Sequence, residues 1–191
     1  MENTFLESAL KYHERGYNVI PVNKEKKALV KWEPFQREKS TPNQIKEWFT
    51  KLKDPNIGIV TGEISNLLVV DTDTPQSMQE VQDQLPDNLI TPIQATPHDG
   101  KHFFFKHTEG FTNRARVAPG IDIRTNGGYV VVDPSINGNG KGWHWLEGLS
   151  LFDVEPVALP DAILGYIKEF AFEFSKEREY AKQDLDRKSV V

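Results

Sequence analysis

Apolar residues at Phe5, Leu6, Ala9 and Leu10 recur at helical spacing, and Gly16 follows where a helix end accepts a residue free to take positive φ. The spacing predicts a first helix over residues 4–15, with Asn3 or Thr4 as its cap. Residues 17–22 then read as a short strand whose Pro21 marks an edge or a strand end, followed by an exposed lysine-rich loop over 23–31. Thr41-Pro42-Asn43-Gln44 carries a capping-box pattern, and Ile45, Trp48, Phe49 and Leu52 continue at i, i+3, i+4, i+7, predicting a helix over 41–53. Ile57–Val60 and Leu67–Val70 are apolar runs six residues apart, which reads as a hairpin. Thr74-Pro75 repeats the cap-plus-proline signal and opens a helix over 74–86. Strands are further expected at 93–96, 102–106, 120–124, 129–132 and 143–146, with Asn126-Gly127-Gly128 as a turn between two of them. From Pro160, Ile163, Ile167, Phe170 and Phe174 follow helical spacing, leading into a charged tail over 176–188 that reads as a solvated helix end. The order of elements is α+β, with a mixed or antiparallel sheet and flanking helices. Residues 1–160 form the expected main domain, and 161–191 an amphipathic helix and tail that link to, or touch, another domain or partner.

Composition narrows the chemistry. A chain of 191 residues, 38% hydrophobic and 27% charged, has the size and make-up of one ordinary folding unit. With no cysteine, zinc fingers, thiol nucleophiles and iron–sulfur sites are excluded, and any metal must be held by carboxylate, imidazole or phosphate oxygen. The net charge of −5 excludes a polycation that coats nucleic acid through overall charge, so contact with nucleic acid needs a local patch. No apolar stretch approaches the roughly 20 residues of a membrane span, and the first residues show no secretory leader. The expected location is the cytoplasm, without membrane contact.

Three groups of residues carry candidate chemistry. Asp71 and Asp73 follow a buried-type strand, and alternation along an extended chain turns both carboxylates to one side. A divalent cation between them explains such a self-repelling pair, but on the pair alone an Asx-type cap on the helix at Thr74 ranks ahead of it. In Gly120-Ile121-Asp122-Ile123-Arg124, Ile121 and Ile123 share one face while Asp122 and Arg124 share the other, as a site or as a structural ion pair. In Lys101-His102-Phe103-Phe104-Phe105, His102 and Phe104 oppose Phe103 and Phe105. A histidine in that setting serves as a packed residue or as a catalyst.

The order of these pieces resembles the primase-polymerase domain of the archaeo-eukaryotic primase superfamily, of the bifunctional type in plasmid and phage replication proteins. The resemblance runs from about Leu10 to about Glu147. It includes Gly16-Tyr17-Asn18-Val19-Ile20-Pro21, the lysine-rich loop leading to Trp32, Asn56-Ile57-Gly58-Ile59-Val60-Thr61-Gly62 and Leu68-Val69-Val70-Asp71-Thr72-Asp73. It continues through Thr96-Pro97-His98-Asp99-Gly100-Lys101-His102-Phe103-Phe104-Phe105, Gly120–Arg124 and Gly127-Gly128-Tyr129-Val130-Val131-Val132-Asp133-Pro134-Ser135. Asp99 stands where the family usually has a glycine, Asp133-Pro134-Ser135 where Pro-Pro-Ser is usual, and His98 is an extra imidazole, read as a solvated loop residue.

The resemblance implies the primase catalytic fold with its RRM-like core. It implies Asp71, Asp73 and Asp122 as catalytic ligands of Mg²⁺ or Mn²⁺, and His102 as a catalytic residue meeting the phosphates of the nucleotide. Arg124 and Lys101 are further nucleotide-binding candidates, since a guanidinium or ammonium beside the acids pairs with phosphate oxygens. Template-binding candidates are Lys26, Lys27, Lys31 and Trp32, with Phe35 as a second stacking residue and Arg114 and Arg116 as another positive loop. For Trp32 a lid on the core is an equal alternative, and for the lysines a solvated turn. The implied function is template-directed nucleotidyl transfer on single-stranded DNA with nucleoside triphosphates, as DNA primase, DNA polymerase or both. A replicative helicase domain or subunit is the implied partner. Two rival readings use the same residues: a metal-dependent nuclease or nucleotide hydrolase, and a non-catalytic nucleic-acid-binding module of the same fold.

Overall fold

A computed structural model describes residues 4–169. Helix α1 spans Thr4–Glu14, strand β1 Asn18–Val22, α2 Pro42–Lys51, β2 Asn56–Val60, β3 Leu67–Thr72 and α3 Pro75–Asp83. Strands β4 (Ile93–Ala95), β5 (Lys101–Lys106), β6 (Arg114–Ala118), β7 (Ile121–Arg124), β8 (Tyr129–Val132) and β9 (His144–Trp145) follow, and residues 161–169 are helical. The expected capping box of Thr41 with Gln44 forms on α2, and the expected cap at Thr74 on α3 closes a second box with Ser77. Phe170, Phe174 and the tail over 176–188 lie outside the described residues.

The nine strands form two antiparallel sheets, one ordered β1-β2-β8 and the other β6-β7-β3-β5-β4-β9. Pro21 lies in β1, an edge strand, where a missing N–H costs least. Alternation sorts the side chains into layers. Leu67 and Val69 of β3 and Phe104 of β5 meet α1, α2 and the inner face of the small sheet (Val19, Ile57, Ile59, Val130, Val132). Leu68, Val70, Phe103, Phe105, Ile121 and Ile123 face the other way, under α3 and the helical residues after Pro160. Ile20, Val22, Val60, Val131 and Trp143 form a third cluster on the outer face of the small sheet, covered by Trp32, Phe35 and Tyr129. Among the described residues no helix is long and apolar enough to cross a membrane.

The structure corrects the expected hairpin. Residues 61–66 do close tightly, with Gly62 and Leu67 exchanging backbone hydrogen bonds of 2.7 and 3.0 Å around a short 3₁₀ turn. The chain nevertheless changes sheets there: β2 pairs with β1 and β8, while β3 lies between β5 and β7. Gly62, at φ +89°, supplies the change of direction. The turn at Asn126-Gly127-Gly128 also crosses between sheets, from β7 to β8, and the crossings are tied by Thr61 Oγ1 donating to the Thr125 carbonyl and Glu63 N–H to Asn126 Oδ1. The expected loop around Arg114 and Arg116 is instead the edge strand β6, with an irregular register and Arg116 at φ +55°.

Candidate active site

Strand register builds the site. Asp71 lies opposite Asp122 on one neighbouring strand and His102 on the other, and His102 in turn lies opposite Gln94 of β4. One row across four strands therefore reads Asp122, Asp71, His102, Gln94, all at the inner face of the large sheet. His102 Nε2 is 3.2 Å from Asp71 Oδ1, and Arg124 Nε is 3.7 Å from Asp71 Oδ2. Arg124 Nη2 also holds Asp122 Oδ2 at 2.5 Å, while Asp122 Oδ1 accepts the Arg116 backbone N–H at 2.7 Å. Arg124 thus bridges the two acids, a charge-assisted arrangement that a guanidinium fork suits.

Gln94 fixes the histidine. Its Oε1 accepts the Asp133 backbone N–H (3.2 Å), so its amide nitrogen donates to the Val131 carbonyl (2.7 Å) and to His102 Nδ1 (2.8 Å). With Nδ1 accepting, the ring proton sits on Nε2, aimed at Asp71. Asp133 provides the N–H that a proline at that place in the family pattern lacks.

The carboxylates differ in their electrostatics. Burial alone would raise Asp71, but the His102 imidazole, then the Arg124 guanidinium and the Lys26 ammonium, outweigh it and hold the carboxyl below its ordinary range. Asp73, just past the end of β3, is pushed up by partial burial and then by the charges of Asp71 and Asp122, against Lys26 and Arg124. Among the described residues no hydrogen bond or ion pair engages its carboxylate.

A cavity of about 290 Å³ opens over this row. Its lining combines charged and imidazole groups (Asp71, His102, Arg124, Lys26), aromatic rings (Trp32, Tyr129, Trp143), and Asn113 with Gly127 and Gly128. Lys26 arrives from the lysine-rich loop, which Asn23 organises by accepting the Glu25 and Lys27 N–H groups. Tyr129 hydroxyl donates to the Lys26 carbonyl (2.8 Å), and Lys26 Nζ lies 5.8 Å from the centre of the Trp143 ring. Trp32 stands edge-on to Tyr129 at 4.9 Å.

The structure brings Asp71, Asp73, Asp122, His102 and Arg124 together, and adds Lys26 and Trp32 to the same place. It separates Lys101, which alternates with His102 and therefore lies on the Phe103 face of β5, away from the acids. Lys27, Lys31, Arg114 and Arg116 are exposed outside the cavity, as is His98, and Phe35 packs edge-on against Trp48 at 5.3 Å. Asp99, in place of the usual glycine, takes φ +63°, a left-handed conformation that aspartate tolerates better than most side chains. Sequence reasoning missed Gln94, Asn113, Tyr129 and Trp143. A glutamine inside an expected strand was the one usable signal, because a buried amide needs partners.

Among the described residues no three His, Asp or Glu side chains gather into a ready-made metal cluster. The donor set still fits a hard divalent cation. All three acids offer oxygen with spare lone pairs, and Asp73 is unpartnered and repelled by the other two, a strain that a cation relieves.

No curated protein matches the chain. The family model of the bifunctional DNA primase/polymerase N-terminal domain matches residues 9–162, which includes every residue of the site. The chain belongs to the bifunctional DNA primase/polymerase N-terminal domain family.

Proposed function

We propose that residues 1–160 catalyse template-directed nucleotidyl transfer on single-stranded DNA, as DNA primase, DNA polymerase or both. The observation that carries this reading is the row Asp122, Asp71, His102, of which Asp71 and His102 line a cavity that cationic and aromatic side chains also line. That lining suits a nucleoside triphosphate. Arg124 and Lys26 attract the phosphates, His102 stands beside them and orients Asp71 through its Nε2–H, and Trp32, Tyr129 and Trp143 offer flat apolar surface to a base. The primer 3′-oxygen bonds to the α-phosphorus, the bond to the bridging oxygen of the β-phosphate breaks, pyrophosphate leaves, and the hydroxyl proton passes to water. Asp71, Asp73 and Asp122 would hold Mg²⁺ or Mn²⁺, whose chemistry is to polarise phosphate oxygens and activate a hydroxyl. Arg124 keeps Asp71 and Asp122 oriented meanwhile. A replicative helicase fits as partner, because an acidic domain with a few local basic residues binds template weakly.

The test is incubation with single-stranded DNA, with and without an annealed primer, labelled nucleotides and either metal. Strands that lengthen with pyrophosphate release support the reading, and the unprimed lane separates primase from polymerase. Strands that shorten establish the nuclease instead, and nucleotide binding without turnover the non-catalytic module.

Three further outcomes follow from the site. Mn²⁺ at about ten times its Kd should raise the melting temperature by roughly 3–5 °C, and Asp71→Ala/Asp73→Ala should remove that rise. Protons compete for Asp73, whose carboxyl is pushed up, so Mn²⁺ affinity should begin to fall with falling pH sooner than an ordinary aspartate would dictate. Titrating the melting-temperature rise against pH checks this. Gln94→Leu releases His102 Nδ1 and should lower kcat about tenfold and change the pH profile of the rate, leaving the fold intact by circular dichroism.

A further inference from the structure

Two loops of the chain share one backbone design. In each, an asparagine side chain accepts the N–H groups two and four residues on: Asn23 Oδ1 those of Glu25 and Lys27, and Asn137 Oδ1 those of Asn139 and Lys141. In each, the asparagine N–H donates to the lysine carbonyl four residues on, at 2.8 Å, and the asparagine carbonyl accepts the N–H three residues on, at 3.0 Å. Strand-like bridges close both loops, Val22 with Ala28 and Ile136 with Gly142. The fourth residue of this design takes a left-handed conformation. The second loop has Gly140 there, at φ +77°, and a Cβ on it would meet nothing within 4 Å, so the backbone alone asks for glycine. The first loop has Lys26, at φ +65°. A lysine in that conformation costs stability, and such a cost is kept where the side chain does something glycine cannot.

Although Lys26 is exposed, its side chain lines the cavity with Asp71, His102 and Arg124, and its Nζ lies 5.8 Å from the centre of the Trp143 ring. The loop is fixed to the cavity by the Tyr129 hydroxyl, which donates to the Lys26 carbonyl. Arg124, the other permanent cation of the lining, is engaged by Asp71 and Asp122. Among the described residues Lys26 has no ion pair, so its ammonium is left for an anion that the protein does not supply. Resting on the nucleotidyl-transfer reading, the α-phosphate must lie at the acids, where its bond to the leaving group breaks, and Arg124 is held at those acids. The β- and γ-phosphates are the anions that remain for Lys26.

We infer that Lys26 is a specificity-determining residue whose ammonium pairs with the outer phosphates of the incoming nucleotide, so that the site takes a triphosphate in preference to a monophosphate.

The experiment measures dissociation constants for a deoxynucleoside triphosphate and its monophosphate by calorimetry in Mg²⁺, without template or primer, for wild type, Lys26→Gly, Lys26→Arg and Lys141→Ala. The wild type is expected to bind the triphosphate about tenfold or more tighter than the monophosphate. Lys26→Gly should weaken the triphosphate about tenfold and the monophosphate less than about twofold. Both backbone hydrogen bonds of residue 26 survive in that variant, and its φ suits glycine, so Tm should hold or rise. Mn²⁺ should still raise Tm in Lys26→Gly, because an ammonium is no ligand of a metal. Lys26→Arg keeps the charge and should keep the preference. Lys141→Ala makes the same change of net charge in the second loop, outside the cavity lining, and should leave both affinities within about twofold of wild type. Equal weakening of both nucleotides in Lys26→Gly, an unchanged triphosphate affinity, or loss of its Mn²⁺ response overturns the inference while the functional reading stands. So does an equal loss in Lys141→Ala, or a wild type without the preference. A wild type that binds neither nucleotide by calorimetry and incorporates none in the extension assay overturns both.

Discussion

Asp71→Asn is expected to leave a folded domain whose nucleotidyl transfer has fallen by about 10³-fold or more, equivalent to roughly 4 kcal/mol of transition-state stabilisation. Asp71 occupies the middle of the row, with Asp122 and His102 as its strand neighbours and Arg124 against its second oxygen. Asparagine matches its size and can still meet His102. It removes the charge that balances Arg124 and Lys26 and that a cation requires. Single-turnover extension measures the loss. The same substitution has a pH signature in stability. The carboxyl of Asp71 is held below its ordinary range in the fold, so its contribution is complete above the unfolded value near 3.8 and is lost as pH falls through the depressed folded value. Denaturant titrations should therefore show wild type more stable than Asp71→Asn at neutral pH, the gap closing in strong acid. A gap that widens with acid contradicts the assignment of Arg124, His102 and Lys26 as stabilising partners.

Gly100→Ala should be the most damaging small substitution near the site. Gly100 precedes β5, and a Cβ there would overlap the backbone carbonyl oxygen of Thr72, the residue between Asp71 and Asp73. A backbone atom cannot swing aside as a side chain can, so β3 and β5 must separate at the point where the acids emerge. A loss of about 3 kcal/mol, seen as a fall of roughly 6–12 °C in Tm, is expected, with activity falling further than stability. Gly138→Ala is the control, because a Cβ there has nothing within 4 Å and should leave both quantities unchanged. Equal effects from the two substitutions would show that the close approach of Gly100 to Thr72 is unimportant.

Which residues share a face was largely legible in the sequence, and which strands meet was not. Alternation separated Asp122 and Arg124 from Ile121 and Ile123, and His102 and Phe104 from Phe103 and Phe105, as the layers of the fold now have them. The same rule spoke against Lys101, since a neighbour of His102 on an extended strand cannot share its face. The caps at Thr41 and Thr74 were readable because their signals lie within four residues. Pairing is non-local, and there local signals misled. Residues 57–60 and 67–70 are buried on both faces and satisfied by distant strands, so the short connection between them makes a sheet crossing where a hairpin was expected. Strand β6 escaped because its arginines are exposed and its register is broken, leaving no period to follow. Gln94 reaches His102 only through the pairing of β4 with β5, and Asn113 reaches the cavity only through β6 and β7. Neither relation is present in any local stretch of chain.

This cavity is expected to add nucleotides as a template directs. The most direct measurement presents a primed strand on four templates that differ in the first unpaired base, with each nucleotide supplied singly, and counts pyrophosphate against residues added. Each template is expected to draw only its complementary nucleotide, with one pyrophosphate released per addition and none from Asp71→Asn. Addition that ignores the template, strands that shorten, or pyrophosphate released without extension would contradict it.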